Sequence, residues 1–110
     1  MPDLDGSILD RLYATLGDRR GADPALSYTA KLFGEGTAGI TRKLGEEAVE
    51  TMVAALSEGP AALAGESADL LYHLLVLWQD RGIAPADVWR TLEARMGVSG
   101  IAEKESRTKA

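Results

Sequence analysis

The 110-residue chain is predicted to fold as one all-α domain, a bundle of about five helices that a second copy completes as a homodimer. Three observations support this. Apolar residues recur at helical spacing along most of the chain, and no run of alternating β-branched residues competes with them. Glycine and proline punctuate the chain at distances that suit helices of ordinary length. A chain this long also hides roughly two-thirds of its unfolded surface, so it can build a core without staples.

Ser7 followed three residues later by Asp10 reads as a capping box, and behind it Ile8, Leu9, Leu12, Tyr13 and Leu16 trace one apolar stripe. Gly17 and the polar run to Pro24 end that helix. A short second helix follows Ser27, carrying Tyr28, Leu32 and Phe33, until Gly34 and Gly36 interrupt it. A long Ala- and Leu-rich helix is expected from about Thr37 to Ser57, with Gly45 costing it up to about 1 kcal/mol. Gly59-Pro60 makes a turn with proline at the first helical position, and the next helix runs from about Pro60 to Asp80 and stops at Gly82. Pro85 opens a further helix in which Val88, Leu92 and Met96 recur every fourth residue, with Gly97 just past its end. Val98 to Ala110 has few apolar residues and is expected to be a tail, flexible or folded onto a partner; residues 1–110 form a single domain.

Composition narrows the function. Zero cysteine excludes a disulfide framework, a thiolate metal site and a cysteine nucleophile, and it leans toward a reducing compartment. Seventeen acidic against 12 basic residues give a net charge of −5, which argues against DNA or RNA, whose binders work by neutralising phosphates. The longest apolar run, Leu70 to Trp78, contains His73 and falls far short of the ~20 residues of a membrane span. MPDLDGS at the N-terminus has no basic region followed by an apolar stretch, so a cytoplasmic protein is expected.

The acidity has a pattern. On a helical wheel Lys43, Glu46, Glu47 and Glu50 fall within an arc of roughly 100°, and Glu66, Asp69 and His73 of the next helix within roughly 60°. That second helix is otherwise apolar all round, which belongs in the middle of a bundle rather than at a solvated surface. The short turn makes the two helices antiparallel neighbours, so Glu47 and Glu50 come opposite Glu66 and Asp69. Four converging carboxylates repel one another and resist desolvation, and a divalent cation resolves both problems. All-oxygen ligation suits Mg²⁺, with Mn²⁺ as the second choice, and predicts metal-assisted attack on a phosphate ester or anhydride. An iron-carboxylate bundle wants Glu-x-x-His on two helices, whereas the single His73 follows Asp69 by four. A different reading, without chemistry, is a helical interaction domain whose acidic face docks a basic partner.

Gly45-Glu46-Glu47-Ala48-Val49-Glu50 and then Glu66-Ser67-Ala68-Asp69-Leu70-Leu71-Tyr72-His73 resemble the E-E-x-x-E … E-x-x-D signature of the all-α, MazG-like nucleoside triphosphate pyrophosphohydrolases. Ser27-Tyr28-Thr29-Ala30-Lys31-Leu32-Phe33 and Glu103-Lys104-Glu105-Ser106-Arg107 bring the resemblance closer, to the phosphoribosyl-ATP pyrophosphatases of histidine biosynthesis, over nearly the whole chain. The resemblance implies hydrolysis of phosphoribosyl-ATP to phosphoribosyl-AMP and pyrophosphate, the second step of that pathway. It implies Glu47, Glu50, Glu66 and Asp69 as Mg²⁺ ligands and leaves Glu46 to orient or deprotonate the attacking water. Lys31, Lys104 and Arg107 lie in family-typical segments as candidate phosphate contacts. Lys43, one turn before Glu47, is placed to pair with it or to reach a phosphate. His73 is expected in the core or supporting the site, and Tyr72, Trp78 and Trp89 in packing. A house-cleaning pyrophosphohydrolase for another nucleoside triphosphate is the alternative within the superfamily. The family resemblance also implies the homodimer.

Overall fold

In a computed structural model, described over residues 4–97 and 100–109, five helices follow one another: α1 (Ile8–Asp18), α2 (Tyr28–Ser57), α3 (Pro60–Arg81), α4 (Pro85–Arg95) and α5 (Gly100–Lys109). The described residues contain no strand, as the helical periodicity predicts.

The start of α1 differs from the expected capping box. Ser7 is already helical at φ −65°, ψ −15°, and its side chain makes no cap. Asp5 does that work instead, accepting from the Ser7 backbone N–H at 2.9 Å and from the Ser7 hydroxyl. Asp10 is drawn away by tertiary contact, taking the indole N–H of Trp89 at 3.2 Å.

The second and third expected helices are the two arms of α2. Gly36 at φ 76°, ψ 178° breaks the helical path without ending the element, a backbone region essentially confined to glycine. Three residues on, a Cβ at the buried Gly39 would lie 2.7 Å from the Glu35 Cβ, so the kink also needs glycine for close approach. Ser27 caps the first arm, its hydroxyl accepting from the Ala30 N–H at 3.1 Å. The second arm runs to Ser57, and a two-residue link, Glu58-Gly59, turns the chain into α3 behind Pro60. Gly82 in the left-handed conformation closes α3, and Pro85 opens α4.

The core is small: Leu16 of α1, Leu32 and Ile40 on either side of the kink, and Leu75 and Val76 of α3 are fully buried. Around it Leu9, Leu12, Tyr13, Phe33 and Trp78 pack as partly buried neighbours. α3 packs against α2 along its length and against α1, the central position its all-round apolar surface predicts. Trp78 meets Trp89 of α4 edge-to-face at 6.0 Å, so both tryptophans pack as expected. Polar ties reinforce the packing: Gln79 donates to the Tyr13 carbonyl at 3.0 Å and Thr37 to Asp80 at 2.5 Å. Arg20 donates to the Gln79 carbonyl at 2.7 Å with its guanidinium 4.6 Å from the centre of the Phe33 ring.

The expected tail is a helix over Gly100–Lys109, and Gly100, Ile101, Lys104, Glu105, Ser106 and Arg107 are all exposed; Val98, Ser99 and Ala110 lie outside the described residues. No helix among the described residues is long and apolar enough to cross a membrane.

Candidate metal centre and its surroundings

The α2–α3 hairpin determines what the site contains. Its short link holds the two helices antiparallel, and Thr51 marks their register: its hydroxyl lies 2.8 Å from the Glu47 carbonyl in its own helix and 3.3 Å from the Glu66 carbonyl of α3. One carboxylate oxygen each from Glu47, Glu66 and Asp69 consequently lie within 4.8 Å of one another. Glu50 sits at the exposed margin, outside that trio, yet its negative charge acts on both Glu47 and Glu66.

Desolvation pushes the Glu47 and Glu66 carboxyls above the usual carboxylate range, and the Glu50 charge adds to it. Asp69 raises both further, while His73 pulls Glu47 back down. One oxygen of each, Glu47 Oε2 and Glu66 Oε2, is buried without a hydrogen-bond partner. Buried acceptors without donors are costly, and hard oxygens clustered this closely form a donor set suited to a divalent cation of the Mg²⁺ type. The residues present therefore fit such an ion.

His73 anchors the cluster from behind. The side chain is 4 % exposed, and its Nδ1 lies 2.7 Å from the Asp69 carbonyl. A carbonyl only accepts, so Nδ1 carries the hydrogen between them, and Nε2 lies 2.9 Å from the Tyr28 hydroxyl. Burial pushes the Tyr28 phenol up, so it keeps its proton. Tyr28 stacks on Tyr72 with ring centres 6.2 Å apart, and the Tyr72 hydroxyl bonds the buried Thr29 hydroxyl.

Glu46 is exposed and lies outside the trio. It pairs with Lys43 at 3.4 Å, an i,i+3 contact in place of the i,i+4 pair with Glu47 that the wheel allowed. Both side chains are substantially exposed. Lys31 is exposed on the first arm of α2, and Lys104 and Arg107 lie on α5, three residues apart and exposed. Of the expected quartet the structure brings Glu47, Glu66 and Asp69 together and leaves Glu50 outside, and His73 is buried as expected. Sequence reasoning missed Tyr28 and Thr29, whose signal was their position directly after the Ser27 cap.

Comparison with known proteins gives the family. The family described as phosphoribosyl-ATP pyrophosphohydrolase matches residues 9–96. A phosphoribosyl-ATP pyrophosphatase of Azospirillum brasilense is 61% identical over 104 residues, 94% of this chain and 94% of that protein. Its namesake in Paramagnetospirillum magneticum is 61% identical over 105 residues, 96% of each chain. Another from Rhodospirillum rubrum is 57% identical over 102 residues, 93% of this chain and 87% of that one.

Proposed function

Since the chain belongs to the phosphoribosyl-ATP pyrophosphohydrolase family, we propose that it performs that hydrolysis with a Mg²⁺ ion held by the α2–α3 hairpin. It is a hydrolase acting on a phosphoric anhydride in histidine biosynthesis: phosphoribosyl-ATP and water give phosphoribosyl-AMP and pyrophosphate. The observation carrying the metal assignment is the pair of buried, partnerless oxygens Glu47 Oε2 and Glu66 Oε2.

In this reading Glu47, Glu66 and Asp69 hold the cation, with Glu50 completing the set from the margin; Mn²⁺ fits the same donors. When bound, the ion supplies Lewis acidity and offsets charge on the phosphate oxygens. The protein supplies the rest. The bond from His73 to the Asp69 carbonyl ties down the backbone of that turn of α3, from which Asp69 projects. Glu46 orients the attacking water or takes its proton. Its pair with Lys43 is exposed and opens at little cost, which would free Lys43 for a substrate phosphate. Lys31, Lys104 and Arg107 are the further phosphate contacts; the last two share one face of α5 by their i,i+3 spacing.

The expected homodimer fits an uncovered apolar stripe. Val49, Met52, Val53 and Leu56 recur at i, i+3, i+4 and i+7 on α2 and are 53%, 55%, 47% and 88% exposed. A second copy of this chain is the proposed cover, and the cytoplasm the proposed location.

The test is pyrophosphate release from phosphoribosyl-ATP and from a panel of ordinary nucleoside triphosphates, with and without Mg²⁺. Selective, Mg²⁺-dependent release from phosphoribosyl-ATP is expected, and comparable turnover of the whole panel would defeat the substrate assignment. Glu47→Gln and Asp69→Asn should each lower turnover by about a hundredfold or more, on the scale of losing one group that stabilises developing charge.

A further inference from the structure

A cleft of about 530 Å³ opens beside the acidic cluster, between the α1–α2 link and the start of α2, lined in part by Arg19, Asp23, Leu26, Tyr28, Thr29 and Tyr72. Its volume lies within the range of small-molecule sites. Two of its walls lead to the metal centre. The Tyr28 hydroxyl bonds His73, and His73 bonds the Asp69 carbonyl, so cleft and cluster are linked through these two side chains. The Thr29–Tyr72 bond and the Tyr28–Tyr72 stack hold that boundary in place.

The charges in the cleft are specific. Among the described residues Arg19 is its only lining cation. Its neighbour Arg20 is committed to the Gln79 carbonyl and the Phe33 ring, whereas the Arg19 guanidinium makes no such contact among the described residues. Asp23 uses one carboxylate oxygen to accept the Ala25 N–H at 2.9 Å. Its other oxygen takes no partner among the described residues, which leaves an acceptor in the same cleft as a cation. A plain phosphate would be repelled by Asp23, and a plain base would leave both charges unused. A ribose phosphate matches both: hydroxyls to donate to a carboxylate, and an anion for a guanidinium to fork onto. The tyrosine faces add a surface for a planar base.

On the basis of the proposed function, we propose that this cleft receives the phosphoribosyl-adenine end of the substrate, with Arg19 binding its distal phosphate and so determining specificity. The triphosphate then extends toward the carboxylates, and the phosphoribosyl group distinguishes the substrate from ATP.

The test uses the full chain, with Arg19→Gln and Arg19→Lys. Arg19 is exposed at the end of α1, so both variants should melt like wild type. With Mg²⁺, Arg19→Gln should raise KM for phosphoribosyl-ATP about tenfold, the size expected for one charge-assisted contact, and Arg19→Lys should recover part of it. Inhibition by ATP, which lacks the phosphoribosyl group, should be equal in both variants and wild type. Calorimetric titration of ribose 5-phosphate into metal-free protein should show binding in wild type that weakens in Arg19→Gln. An unchanged KM with normal wild-type turnover would overturn the cleft assignment alone. A parallel weakening of ATP inhibition would overturn it as well, by placing Arg19 on the triphosphate. Wild type that releases no pyrophosphate from phosphoribosyl-ATP would remove the proposed function and the cleft assignment together.

Discussion

At the scale of single residues, Glu47 and Glu66 combine roles that oppose each other when the cation is absent. Their carboxyls are raised by burial and by neighbouring charge, so the folded protein holds protons that the unfolded chain has already released. The stability this contributes is fully present below the ordinary value of about 4.5 and is lost as pH rises through the raised folded values. Melting of metal-free protein should therefore fall as pH rises from 4.5 toward neutrality, and Mg²⁺ at pH 7 should raise it again. Glu66→Gln removes one charge while keeping the shape. It should melt higher than wild type without metal, show a flatter pH profile and lose most of the Mg²⁺-induced gain. A wild-type melting temperature that rises over that pH range, or ignores Mg²⁺, would contradict the assignment. The wheel set Glu47 and Glu50 opposite Glu66 and Asp69 because charge spacing on a helix is written directly in the sequence, but which three would come within 4.8 Å was not. The Lys43–Glu46 pair and the Tyr28–His73 bond were less legible, since both depend on rotamers, and the second joins residues 45 positions apart.

Among the elements, α2 shows most clearly where local reading stops. Gly34 and Gly36 announced an interruption between two expected helices, and the break falls at Gly36. The sequence does not reveal that the hydrogen-bonded path resumes at once, because that depends on Leu32 and Ile40 being buried in one core from the two sides of the kink. Gly36→Ala forces a Cβ onto φ 76°, ψ 178° and should cost on the order of 1–3 kcal/mol, read by urea denaturation. Gly45→Ala, in the same element with open space around it, should be neutral or stabilising by up to about 1 kcal/mol. Equal effects at the two sites would mean that the kink is not conformationally demanding. The α1 cap was misread for a related reason. Asp10 suits a capping box by spacing, yet Trp89, 79 residues away, takes its oxygen, and Asp5 serves the turn from upstream.

For the molecule as a whole, the fully buried apolar core comprises five large side chains among the described residues, few for a chain that is 45% hydrophobic. Much of the remaining apolar surface is on view, and the Val49–Leu56 stripe is its most regular part. Light scattering after size exclusion should give twice the 11.7 kDa chain mass, and Leu56→Glu with Met52→Glu should shift it toward a single chain. A wild-type monomer at micromolar concentration would refute the dimer. All-α class and helix order were legible because periodicity and punctuation are local. The helical state of Gly100–Lys109 was not, since its residues lack the apolar stripe that marked the other helices.

The hairpin that carries the carboxylates also has a consequence for kinetics. Glu47 through Asp69 is one uninterrupted stretch closed by a two-residue link, so the ligands meet through local chain closure, which is fast and entropically cheap. Without a cation, that early contact brings like charges together and is penalised while the chain is still largely unfolded. Mg²⁺ should therefore accelerate refolding in stopped-flow measurements as well as retard unfolding, and Glu66→Gln should refold quickly in its absence. The catalytic ion would then also assist the assembly of the chain around it.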